Sequence, residues 1–184
     1  GRASRLCPEA PVPVVRAERD TTAPGGAANV VRNLVSLGAH AHAFGLVGDD
    51  APGQELLSAL GESGADAAGI LRSASRRTTV KTRVLAGNQQ VVRIDREETG
   101  PIPDALRAQI AERLKCAVRA GQLDAVILED YAKGVLNREL VAEVVATCQQ
   151  AGVFVTLDPH ASNQFEVQGL KLMTPNRAEA FALA

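Results

Sequence analysis

The sequence predicts an α/β protein built on a mostly parallel sheet with helices on both faces. Three observations carry this. Apolar residues recur at helical spacing in several segments, short apolar runs of strand length alternate with those segments, and glycines stand where the helices should end. Residues 78–95 break the alternation with a two-residue period, so that stretch is expected to project from the main layer.

The elements follow in order. Pro8, Pro11 and Pro13 keep the opening segment out of a central strand, although "VPVV" (12–15) suits an edge. After Gly25 and Gly26, the residues Ala27, Val30, Val31, Leu34 and Val35 form one apolar helical stripe, and Gly38 is placed to end it. "AHAFGLVGDD" (41–50) reads as a strand leaving through a loop. Pro52 then opens a helix with Leu56, Leu57 and Leu60 on one face. In 78–95, Lys81 and Arg83 alternate with Val80, Thr82 and Val84, and Gly87-Asn88 supplies the turn of a hairpin. Pro103 and Asp104 introduce a helix carrying Leu106, Ile110 and Leu114. "DAVILED" (124–130) has no polar alternation and reads as a strand buried on both faces. Asn137 caps a helix striped by Leu140, Val141, Val144, Val145 and Cys148, with Gly152 past its end. "VFVTLDP" (153–159) is the next strand, and "KLMTPNRAEAFALA" (171–184) begins another strand-to-helix crossing.

Composition excludes several classes. In 184 residues, 20 Lys and Arg face 21 Asp and Glu, which gives no field favouring nucleic acid or an anionic membrane. Aromatic residues are 3% and Trp is absent, so platforms for stacking bases are poorly supplied. No apolar run reaches the length of a membrane span, and the start lacks the pattern of a secretory signal. Cys7, Cys116 and Cys148 are widely spaced and odd in number, which fits free thiols in a reducing cytoplasm. The expected setting is cytoplasmic, with no nucleic-acid or membrane partner.

Four stretches could carry chemistry. "PGGAANVV" lacks both the lysine and hydroxyl residue of a Walker loop and the spacing of a dinucleotide fingerprint. Gly25 and Gly26 still permit close approach by a ligand, and Asn29 offers donor and acceptor groups suited to sugar hydroxyls. A simple helix-entry turn is the alternative. In "LEDYAKG" (128–134), Asp130 stands at the carboxyl end of a strand, where open α/β sheets bind ligands, and Lys133 could meet an anion. A solvated loop with a local ion pair is the alternative. Asp158 and His160 end the following strand at the same sheet edge. In "TPNRAEAF" (174–181), Asn176 and Glu179 could orient a hydrated Mg²⁺ or its phosphate ligands, or simply form a capping box.

Taken together and in order, "SRLCPEAPVPVV", "PGGAANVVRNLVSLGA", "NQQVVRID", "EDYAKG" and "LMTPNRAE" resemble the ribokinase-like (PfkB) carbohydrate kinases across essentially the whole chain. Within that family the closest resemblance is to the kinases of D-glycero-β-D-manno-heptose 7-phosphate. The resemblance implies a three-layer αβα fold, one partial kinase domain over 1–184, and a β lid formed by about 11–16 and 79–95. It implies Mg²⁺-dependent transfer of the γ-phosphoryl of ATP to O1 of the sugar phosphate, for ADP-heptose and lipopolysaccharide core synthesis. Gly25, Gly26, Asn29, Gln90, Arg93, Asp130 and Lys133 would bind the sugar phosphate, and Asn176 and Glu179 would organise Mg²⁺ and the phosphates without a direct metal ligand being assigned. A homodimer through the lid is implied as well. The family's first strand and its GAGD segment, which supplies the catalytic base, do not occur between Gly1 and Ala184, so the chain is expected to be incomplete at both ends and inactive alone. Glu129 and His160 depart from the small polar residue and the lysine expected at those positions. Kinases of other sugars, and a non-catalytic sugar-binding or dimerising remnant, are the alternatives.

Overall fold

The protein was analysed as a computed structural model, which describes residues 1–163, 165–166 and 168–183, with the backbone alone for 3–5. The elements run β1 (Arg2–Leu6), β2 (Pro13–Arg16), α1 (Ala27–Ser36), β3 (His42–Gly48), α2 (Ala51–Glu62), β4 (Asp66–Ser73), β5 (Val80–Ala86), β6 (Gln89–Arg96), α3 (Asp104–Arg119), β7 (Ala125–Glu129), α4 (Arg138–Ala151), β8 (Phe154–Asp158), β9 (Leu172–Met173) and α5 (Arg177–Leu183). This is the α/β alternation that the sequence predicts.

Local chemistry sets the boundaries. The Asn137 side chain accepts from the Leu140 amide at 2.9 Å and starts α4, while Gly152 ends it in the left-handed region at φ 71°. The Asp50 side chain caps α2 through the Gly53 amide at 2.9 Å. It also ties that helix to the segment leading into β5, because Asp50 accepts from the Thr78 amide (2.9 Å) and hydroxyl (2.6 Å). The Thr78 hydroxyl in turn accepts from the Gly48 amide at 2.8 Å. A Cβ at Gly53 would stand 2.3 Å from the Gly48 carbonyl oxygen, so this knot closes only around glycine.

The parallel strands do not form one sheet. β3 pairs with β4, and β7, β8 and β9 pair in that order, all in parallel register. The β3–β4 pair is covered on both faces. Ala43 packs with Leu60, Val31 and Val35 of α1 and α2, while Leu46 and Leu71 pack with Ile110 of α3. The β7–β9 sheet buries Val126, Leu128, Val155 and Leu157 against α3 and α4. Each such buried Val or Leu contributes roughly 1.5–3 kcal/mol by leaving water. Its other face is open, with Ile127 40% and Phe154 46% exposed. The expectation of a β7 strand buried on both faces is therefore corrected, because its residues alternate between the α3–α4 core and an open face.

Two further corrections concern elements that the sequence did not predict. β4 is a full strand, and β1 pairs antiparallel with β2. β5 and β6 form the predicted antiparallel hairpin, turning at Gly87 with φ 59°. The Gly87 amide donates to the Gly1 carbonyl at 2.9 Å, so the two hairpins lie side by side and project away from the parallel strands. Among the described residues, no helix is long and apolar enough to cross a membrane.

Candidate functional site

A cavity of about 2590 Å³ opens between the glycine loop, the carboxyl end of β7 and the hairpin β5–β6. It exceeds the roughly 300–1,000 Å³ of an ordinary ligand pocket. The excess arises because the space continues as a slot between β3 and β7, whose residues 43–47 and 124–128 line it.

The glycine loop enters the site through backbone geometry. Gly26 caps α1 at φ 54°, ψ −139°, a region closed to residues with a Cβ, and no side chain caps this helix. Gly25 has open space where a side chain would stand. Opposite, a Cβ on Gly26 would lie 3.6 Å from the Tyr131 ring, so the glycine loop and the loop after β7 meet there.

Strand register places the acids. Glu129 and Asp158 are direct partners across β7 and β8, hence neighbours on the open face. Burial, and then the Asp158 charge, push the Glu129 carboxyl above its usual range, and Tyr131 donates a hydrogen bond that partly offsets this. One Glu129 carboxylate oxygen is buried with no partner among the described residues. Burial likewise raises the Tyr131 phenol, followed by the Glu129 and Asp158 charges. Asp158 accepts from the Thr174 hydroxyl at 2.7 Å.

Asp130 is 7% exposed and its carboxylate is already engaged. One oxygen accepts from the Ala132 amide and the other from the Asn163 side chain, both at 2.8 Å. This holds Ala132 at φ 51° and turns the chain so that Lys133 reaches the cavity. The Lys133 ammonium pairs with Glu97 at 2.9 Å. His160 sits nearby as an acceptor, since the Ser162 amide points at its Nδ1 from 3.2 Å.

The cavity thus brings together Gly25, Gly26, Asp130 and Lys133 of the residues picked from the sequence. Asn29 is exposed on α1 and is not among the lining residues. Gln90 and Arg93 lie on β6, the hairpin strand farther from the cavity, and Arg93 pairs with Asp95 at 3.0 Å. Their β5 partners Leu85 and Arg83 line the cavity instead, as does Lys81. Asn176 and Glu179 make the capping box: the Asn176 side chain accepts from the Glu179 amide at 3.0 Å, and Glu179 accepts from the Asn176 amide at 2.7 Å. They do not line this cavity. Sequence reasoning passed over Arg76, Glu97 and Tyr131. The Arg76 guanidinium donates to the main-chain carbonyls of Glu98, Gly100 and Lys133, a role that no local pattern announces.

A glycine-opened helix, parallel strands ending beside it and a projecting β lid define a ribokinase-like fold, and solved structures carry the same one. Ribokinase from Arabidopsis thaliana, solved with ribose and ATP, superposes at TM-score 0.63 and 19% identity over 93% of this chain and 55% of its own. Phosphofructokinase-2 from Escherichia coli, in its tetrameric inhibited form, gives 0.63 and 19% over 98% and 58%. The chain belongs to the pfkB family of carbohydrate kinases, whose family model matches residues 2–184. Among curated relatives, the bifunctional protein HldE of Helicobacter pylori is 42% identical over 97% of this chain, and that of Citrifermentans bemidjiense 42% over 98%. The chain spans 38% and 37% of the lengths of these two relatives.

Proposed function

We propose that residues 1–184 form the sugar-binding part of an ATP-dependent kinase of D-glycero-β-D-manno-heptose 7-phosphate, acting at O1 to give the 1,7-bisphosphate for ADP-heptose and lipopolysaccharide core synthesis. The observation that carries the reading is the joining, around one cavity, of the glycine loop with Lys81, Arg83 and Lys133. Open backbone at Gly25 suits hydroxyl groups, and the cations suit a phosphate. The heptose assignment draws on "NQQVVRID" and "EDYAKG" together with the 42% identity to the HldE proteins. Phosphoryl transfer requires mainly positioning and charge neutralisation, which such a site can give to the acceptor.

ATP is the proposed phosphoryl donor, and Mg²⁺ would neutralise its phosphates when bound. Asn176 and Glu179 fit a hydrated ion, because the capping box engages a single oxygen of the Glu179 carboxylate. The same proposal puts the catalytic base outside residues 1–184. Pairing of two copies through the lid is part of the same proposal, supported by the exposed Leu85, Val91, Val92 and Ile94 on the β5–β6 hairpin.

The test is ADP release by the full-length protein with heptose 7-phosphate, ribose or fructose 6-phosphate, run beside the 184-residue chain. Turnover by the full-length protein should be specific to the heptose phosphate, and the shorter chain should bind it without turnover. A preference for another sugar would overturn the substrate assignment, and turnover by the shorter chain would overturn the placement of the base.

A further inference from the structure

We infer that Glu97 is a positioning residue that locks the β5–β6 lid to the sugar-side loop and sets the place of Lys133. Its two carboxylate oxygens go to different elements. One accepts from Lys133 of the loop after β7 at 2.9 Å, the other from Lys81 of β5 at 2.9 Å. Lys81 also pairs with Asp95 at 3.0 Å, and Asp95 with Arg93 at 3.0 Å. The result is a row of alternating sign, Arg93–Asp95–Lys81–Glu97–Lys133, running from the outer lid strand to the loop. Among the described residues, Glu97 is the member of this row that joins the two.

The surroundings make this link consequential. The lid joins the body through the segments 74–79 and 97–102, and Arg76 holds the second of these against the loop through the carbonyls of Gly100 and Lys133. A Cβ at Gly134 would stand 1.9 Å from the Gly100 carbonyl oxygen, so the two backbones touch there. The seam fixes the hinge, and the Glu97 carboxylate fixes the angle at which the lid leaves it. The Glu97, Lys81 and Lys133 side chains are 20%, 34% and 27% exposed, which shields their pairing from salt better than an open surface pair. Their opposite charges draw the Glu97 carboxyl below its usual range, with Lys81 the larger cause. A phosphate entering at Lys133 would compete with Glu97, so ligand binding and lid position are coupled through one side chain.

The kinetic arm of the test rests on the sugar-phosphate reading above, whereas the exchange arm does not. In the full-length protein, Glu97→Gln should speed amide hydrogen exchange in residues 80–96 and 131–134 by about ten-fold, leaving α4 unchanged. Lys81→Gln should do the same, and the double variant should exceed neither single one, as expected of two groups sharing one interaction. With heptose 7-phosphate, Glu97→Gln should raise KM about ten-fold and change kcat less than three-fold. Lid exchange within two-fold of wild type in both single variants overturns the proposal, as does full additivity. If Glu97→Gln unfolds the protein, seen as lost protection in α4, Lys81→Gln alone decides. Absence of turnover in the wild type would sink the substrate reading, while lid exchange would still judge Glu97.

Discussion

Gly26 meets Tyr131 face to face: a Cβ added to the glycine would rest 3.6 Å from the ring, an ordinary contact. Space is therefore not what demands glycine there. The demand comes from φ 54° and ψ −139°, which a residue with a Cβ reaches only with strain. Gly26→Ala should cost about 1–3 kcal/mol by denaturant unfolding. It should also weaken sugar binding, because relaxation of the loop moves it away from Tyr131. Tyr131→Ala removes the ring contact without changing the backbone demand at Gly26, so the two variants separate backbone strain from lost packing.

Glu129 carries the opposite kind of cost. Its carboxyl is pushed up, first by burial and then by Asp158, so the folded protein holds its proton to higher pH than the unfolded chain. Stability from this group is therefore greatest below the unfolded carboxylate range near 4.5 and falls as pH rises through the folded value. Glu129→Gln removes the charge and should stabilise the protein at pH 7 by about 1 kcal/mol. The gain should vanish at pH 4. Urea titrations at both pH values measure it, and equal gains at the two would rule out the charge as the cause.

Asp50 has the reverse sign. Hydrogen bonds from Thr78 are the main reason its carboxyl sits below the usual range. Its contribution is present above the unfolded value of 3.8 and is lost as pH falls through the folded one. Thr78→Val leaves the Gly48 amide without its partner and removes one of the two bonds to Asp50 Oδ1, which keeps the Gly53 amide. That should cost about 1–3 kcal/mol near neutral pH. The gap between wild type and variant in thermal unfolding should narrow in acid, once Asp50 is protonated in both, and keep the part owed to the Gly48 amide.

These sites also mark what the sequence makes legible. α4 is readable because Asn137, Gly152 and the stripe between them act locally, within a few residues of one another. β4 is not, since "DAAGILRS" offers small residues and an interior glycine in place of a clear period. Gly69 is needed there because Phe44 of β3 packs where its Cβ would be, at 2.4 Å. That reason lies on another strand. The division of the parallel strands into two sheets, and the open face at Ile127, are likewise long-range pairing outcomes that periodicity does not encode. In the site, Gly25, Gly26, Asp130 and Lys133 were recoverable because short motifs carry them. Glu97 and Arg76 were not, because their partners come from distant segments and their own neighbourhood reads as a charged loop.

The last prediction concerns which cation meets a phosphate. Arg19, Lys81, Arg83 and Lys133 line the cavity, yet Lys81 and Lys133 are held by Asp95 and Glu97, and Arg19 lies outside the lid. Arg83 makes no ion pair with any described residue, and it faces Arg93 directly across the hairpin. A like charge opposite it is unfavourable until an anion arrives, so a phosphate reaching the lid should be held most strongly at Arg83. Arg83→Gln in the full-length protein should raise KM for the phosphorylated sugar about ten- to a hundred-fold, the loss of one or two charge-assisted hydrogen bonds. Affinity for an unphosphorylated analogue should change less than three-fold. Isothermal titration with the two ligands reads both numbers. Equal losses for both would mean that Arg83 supports the lid and does not recognise the phosphate.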